Sequence, residues 1–225
     1  MAVKPPRLIL EGLYAFAPNR ATLGGTAYLI VDKDQAGNPA NLLIDAPALD
    51  EDGLQFIADQ GGVRSWVITH RGASGAAKAL QAALQCEVVV QEQEAYLLPD
   101  VAQVKPFHHR YGWGDRLTAW WTPGYSPGAA CVYWANHGGV LFTGRHLLPD
   151  RTGHLTPLRF AKTFHWPRQL RNVEELQARF AIEPLAYACP GANTGFLRGR
   201  AIVSEANAQL QAIQTSQLQG VPALL

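Results

Sequence analysis

The chain has 225 residues with 48% hydrophobic and 16% charged content, the balance of a globular α/β protein and not of a disordered one. Nineteen basic residues against 18 acidic ones give a formal charge of +1, which argues against a strongly basic nucleic-acid binder. The three cysteines, Cys86, Cys131 and Cys189, are isolated and odd in number, so neither a disulfide framework nor a Cys-x-x-Cys zinc site is indicated, and buried thiols in a reducing compartment are expected.

Residues 1–7 hold two basic residues and two prolines but no apolar core of a secretory signal, and no apolar run approaches the length of a membrane span. A cytoplasmic protein is the expectation. Leu8 to Phe16, Gly25 to Asp32 and Leu42 to Asp45 read as successive strands, with Asp34-Gln35-Ala36-Gly37-Asn38-Pro39 as hairpin turn chemistry. Residues 51–60 form a short helix closed by Gly61-Gly62. A strand at 66–69 runs into an Ala-rich helix from about Ser74, a candidate N-cap, to Leu84. Glu87 to Gln91 completes a β-α-β unit.

The second half repeats the style. Leu117 to Thr122, Cys131 to Trp134 and Val140 to Thr143 read as strands, and a loop without periodicity spans 147–166. A helix then starts near Pro167 and reaches about Phe180, with proline at its first turn. Leu185 to Cys189 is a strand, and a last helix is expected over about 197–217. His108-His109 is placed in a loop after Pro106, and Trp113, Trp120 and Trp121 are read as strand-face packing. No linker or composition break interrupts the chain, so one domain over 1–225 is expected, its core at about 8–205.

Five strand-end strings stand in order: LLIDAP (42–47), VITH (67–70), TPGYSPG (122–128), LFTGR (141–145) and CPGANTG (189–195). Together they resemble the metallo-β-lactamase superfamily over nearly the whole chain. That resemblance implies an αββα sandwich, with two mixed sheets face to face, helices outside, and a metal site where the loops meet. It also marks what this chain lacks. His70 matches the first ligand of the family's Thr-His-x-His-x-Asp-His string, but Gly72, Ser74 and Gly75 replace the later donors. Tyr125 stands at the next histidine, Arg145 at the bridging aspartate and Ala192 at the last histidine, while the supporting Asp45 is retained.

A catalytic zinc needs about three protein ligands and an open position for water. Glycine and alanine offer no donor, and a permanent guanidinium at the bridging position repels a cation. No metal or cofactor is therefore expected. The replaced positions define a candidate ligand site of His70, Arg71, Ser74, Tyr125, Arg145, His146 and Asn193, made positive by Arg71 and Arg145. The segment 151–171 adds Arg151, Arg159, Lys162, Arg168 and Arg171 among His154, His165, Phe160, Phe164 and Trp166 as a basic and aromatic cover. The leading reading is a non-hydrolytic protein that binds an anionic small molecule or a protein partner, as monomer or homodimer. Two alternatives stay open. One is a hydrolase with a non-standard site holding zinc or another divalent metal through His70 and His146. The other is a structural subunit or assembly factor in which Arg145 pairs with a carboxylate and fills the old pocket.

Overall fold

The computed structural model describes residues 4–224, which divide into two compact units at His108/His109. The first unit is built on a sheet of seven strands in sequence order. β1 (Arg7–Leu10), β2 (Leu13–Ala15), β3 (Tyr28–Ile30) and β4 (Leu42–Ile44) run antiparallel. β5 (Ser65–Ile68), β6 (Glu87–Gln91) and β7 (Val104–Phe107) continue in parallel with β4. Helices α1 (Glu51–Asp59) and α2 (Ala77–Leu84) supply the crossovers, and α3 (Glu92–Ala95) follows β6. Parallel strands whose faces are both covered carry continuous apolar runs instead of alternation. Val88, Val89 and Val90 are all buried for that reason. Leu43, Trp66, Ile68, Val88 and Val90 form one core cluster with Ile57 of α1 and Leu80 of α2.

The second unit carries a six-stranded sheet and a two-stranded one. β8 (Arg110–Trp113), β9 (Leu117–Trp121), β10 (Ala130–Trp134) and β11 (Val140–Gly144) are antiparallel, and β14 (Tyr187–Pro190) lies parallel to β11. β15 (Val203–Ser204) closes the far edge, while β12 (Leu148–Pro149) and β13 (Leu155–Thr156) make a small separate ribbon. Helix α4 (Trp166–Phe180) is capped by His165, whose ring accepts from the Arg168 N–H, and Pro167 occupies its first turn. Val173, Leu176 and Phe180 turn into the core formed by Cys131, Tyr133 and Leu141. Short helices α5 (Ala206–Gln211) and α6 (Thr215–Leu218) end the chain.

Several boundaries differ from the sequence expectation. The single strand expected over 8–16 is a hairpin, because Gly12 takes φ 71° between β1 and β2. The cap of α2 is Ala76, not Ser74. The expected C-terminal helix is two pieces preceded by β15, with Arg198, Ala201 and Glu205 all at positive φ. Gln177 of α4 donates to the carbonyls of Leu210 and Ile213, so a side chain from far along the chain caps α5 where a continuous helix was expected. The segment 147–166 contains the β12–β13 ribbon. Two edge strands, β7 and β8, had no counterpart among the expected elements, and they flank the loop of His108-His109. Pro106 lies in β7 at the sheet edge, where a missing donor is tolerated.

Candidate functional site

In the first unit, the parallel strands β4 and β5 end side by side, and their last residues make the local chemistry. Asp45 follows β4 at φ 60°, a left-handed conformation that aspartate tolerates better than most residues. Its carboxylate accepts from the Thr69 N–H at 2.8 Å and from the Thr69 hydroxyl at 2.8 Å. Thr69 Oγ1 lies 3.1 Å from Nδ1 of His70. A hydroxyl has one proton to give, so Thr69, having donated to Asp45, accepts from Nδ1–H of His70. Asp45, Thr69 and His70 are all buried, and the chain fixes both the tautomer and the orientation of the imidazole.

After His70 the backbone makes one 3₁₀ turn, Arg71–Ala73. A side chain at Gly72 would begin 3.4 Å from Nε2 of His70. The loop thus still brings position 72 beside the retained histidine, and what is absent is the donor. Gly75 has φ 52°, and a Cβ there would sit 2.9 Å from Cβ of Ala46, so this position has no room for a ligand side chain. Ser74 is half-buried at the end of the turn. Arg71 is half-exposed and donates from Nε to the buried Glu94 at 3.3 Å. It serves as counter-charge to a buried carboxylate that no motif marks.

In the second unit, β9, β11 and β14 end at one edge of the sheet. Gly144 pairs with Pro190, and the Gly191 N–H donates to the Gly144 carbonyl at 2.7 Å. Arg145, Ala192 and Asn193 therefore follow neighbouring strand ends. Arg145 places its guanidinium 5.9 Å from the ring centroid of Tyr125, a cation–π contact between the loop after β11 and the loop between β9 and β10. Phe160 meets Tyr125 edge-on at 6.3 Å, and Phe164 N–H donates to the Tyr125 carbonyl at 3.0 Å. Of the residues expected as a cover, Phe160 and Phe164 thus lie along Tyr125. Other members of the cover are engaged elsewhere: Arg159 donates to the Val221 carbonyl and Trp166 to that of Leu218. Asn193, at φ 59°, donates to the Pro149 carbonyl at 3.4 Å.

His146 is fully buried, and neither ring nitrogen has a hydrogen-bond partner among the described residues. Burial alone pushes its pKa down to about 4, so the ring is neutral at ordinary pH. Its carbonyl accepts from Gln169 of α4 at 2.9 Å. His146 is therefore packed into the interior of the second unit beside Gln169, a partner that no sequence motif identified.

The donor set does not fit the metal centre that the resemblance implies. Positions 72, 75 and 192 lack donors, position 145 is a cation, and among the described residues no group of three or more His, Cys, Asp or Glu could hold a metal. Glycine, alanine and arginine cannot supply the missing coordination bonds.

No protein-family model matches the chain, and none of the curated proteins matches it. Solved structures do. An archaeal metallo-β-lactamase superfamily protein, ST1585 from Sulfolobus tokodaii, is 14% identical with a TM-score of 0.66, over 95% of this chain and 89% of its own. The DIM-1 metallo-β-lactamase is 14% identical with a TM-score of 0.69, over 97% of this chain and 100% of its own. A metallo-β-lactamase from Hirschia baltica is 17% identical with a TM-score of 0.59, over 88% and 97%.

Proposed function

Starting from a chain with the metallo-β-lactamase fold, we propose that it binds an anionic ligand without metal-dependent hydrolysis. The observation that carries this reading is Arg145. It stands at the strand-end position where the resemblance implies a metal-bridging aspartate, and its guanidinium faces Tyr125 at 5.9 Å. A fixed cation there takes over the charge role of a metal ion but not its chemistry. It attracts and orients a carboxylate or phosphate through paired N–H donors, and it cannot lower the pKa of a bound water. Arg71 is engaged with Glu94, and the anchor of this reading is Arg145. Tyr125 with Phe160 gives it an aromatic wall. Among the described residues no helix is long and apolar enough to cross a membrane, and the partner of this reading is a small anion.

The test has two arms. Elemental analysis of the purified protein is expected to find no stoichiometric zinc, iron or manganese, and stoichiometric metal retained through dialysis overturns the reading. Citrate and inorganic phosphate are then titrated against the wild type and Arg145→Ala. Loss of at least one of these binding isotherms in the variant supports the anchor role. Unchanged isotherms refute it.

A further inference from the structure

The second unit carries a groove of 480 Å³ between the end of β9 and the outer side of α4, and of the strand-end strings only Thr122 and Pro123 of TPGYSPG line it. Its floor is the Trp120-Trp121 pair. Its wall is one stripe of the helix: Arg168, Arg171, Glu175 and Arg179, spaced at three, four and four residues, fall on one face. The Arg168 guanidinium lies 4.7 Å over the Trp121 ring and that of Arg179 lies 4.1 Å over Trp120. His109 rests against the same Trp121 at 5.7 Å. Trp121 is itself held by its indole N–H, which donates to the Pro127 carbonyl at 2.8 Å. Two arginines stacked on fixed indoles have lost much of the side-chain freedom that binding would otherwise cost, and they keep their N–H edges available.

The charge along the groove is not uniform. Arg179 is paired with Glu183 at 3.1 Å and contributes little net charge. Arg168 and Arg171 make the other end cationic, and His109 lines the same end beside Trp121. Glu175 sits between the two ends as an acceptor. We infer that the groove is a binding site for a phosphomonoester of a hydroxyl-bearing small molecule, with its phosphate held by Arg168 and Arg171 and its hydroxyls by Glu175. A phosphate has three terminal oxygens and uses two guanidinium forks, whereas a carboxylate is satisfied by one. The carboxylate at Glu175 interrupts the cationic stripe about 6 Å beyond Arg171, at 1.5 Å of rise per residue. A nucleic-acid backbone, with its repeated charges, is repelled there, and a polyol is not. The volume is that of a small-ligand cleft.

The site is separate from Arg145, so the two proposals fail separately. Glucose 6-phosphate, glucose and inorganic phosphate are titrated against the whole chain by tryptophan fluorescence and calorimetry in low salt. Saturable one-to-one binding of glucose 6-phosphate is expected, with weaker binding of phosphate and none of glucose. Arg171→Ala, at an exposed position, is expected to weaken glucose 6-phosphate at least tenfold with an unchanged melting temperature, and Arg145→Ala to leave it unchanged. Glu175→Ala should weaken glucose 6-phosphate while leaving inorganic phosphate as tight or tighter. Absence of saturable binding by both phosphates, an unaltered isotherm in Arg171→Ala, or loss in Arg145→Ala overturns the assignment. So does an oligonucleotide that binds through Arg171 when glucose 6-phosphate does not.

Discussion

Replacing Asp45 by alanine tests whether the Asp45–Thr69–His70 chain is what holds the loop after β5. The buried Thr69 N–H loses its acceptor, at about 1–3 kcal/mol for an unsatisfied buried donor. The hydroxyl loses a second bond to the carboxylate, about 1.5 kcal/mol or more for a charge-assisted pair. Alanine at φ 60° adds about 1 kcal/mol of backbone strain. These contributions share partners, so they do not sum in full, and about 3–5 kcal/mol is expected. At about 2–4 °C per kcal/mol for a chain of this size, that is a fall of roughly 6–20 °C in Tm. Asp45→Asn keeps an acceptor for the Thr69 N–H and tolerates the left-handed conformation, so about 1 kcal/mol is expected.

Thermal melts followed by circular dichroism give the first readout, and nitrogen-15 spectra of the imidazoles give one that general destabilisation does not move. In the wild type Nδ1 of His70 carries the proton. Without Asp45, the Thr69 hydroxyl is released to donate to Nδ1, and the proton moves to Nε2. Asp45→Ala within 1 kcal/mol of wild type, or a folded variant with the His70 tautomer unchanged, refutes the reasoning.

His146 sets a pH dependence. Its pKa of about 4 in the fold lies below the ordinary 6.5, so the unfolded chain binds the extra proton. Stability is then complete above pH 6.5 and falls by about 3 kcal/mol as pH drops toward 4, a slope that urea melts of His146→Leu should lack. Gly124→Ala is expected to cost about 3 kcal/mol or more by urea denaturation, because its Cβ at φ 151° would lie 2.4 Å from Cα of Gln169 in α4. Burial raises the thiol of Cys86 to about 11 and that of Cys131 to about 12, and holds that of Cys189 well above its ordinary value. A thiol reagent at pH 8 should therefore label no cysteine in the native protein and all of them in urea.

What could be read from the sequence follows the range of the forces involved. β6 was expected over Glu87–Gln91 and lies there, because an unbroken valine run bounded by polar residues has no other economical burial. Helix α4 was placed within a residue of its start, because Pro167 marks a first turn by local sterics. The elements that were missed depend on partners far along the chain. β7 and β8 are edge strands with polar faces, defined by the sheet they join, and the break after α5 depends on Gln177. The site divides in the same way. The strings that hold His70, Tyr125 and Arg145 implied, through the resemblance, that metal donors are replaced, because residue identity alone decides what can coordinate. Whether an arginine is available to a ligand is decided by its neighbours. Arg71 is taken by Glu94, which sequence spacing gave no reason to pair with it.

The same reasoning bears on where binding chemistry resides in this chain. At the strand ends position 72 lies beside His70, where the resemblance implies a metal donor and the chain has glycine. These strand ends cost stability: Asp45 is held at positive φ and His146 is buried without a partner among the described residues. An arginine held against an aromatic ring, by contrast, occurs at both ends of the second unit's chemistry, as Arg145 on Tyr125 and as Arg168 on Trp121. Each arrangement fixes a cation in place by contacts within one unit and requires no metal. Arg145 and Arg168 both lie in segments to which the resemblance directs attention, but no motif links Arg168 to its partner Trp121, 47 residues earlier. If anion recognition is the chemistry this fold retains here, Arg171→Ala and Arg145→Ala should abolish different isotherms, and the double variant should lose both without unfolding.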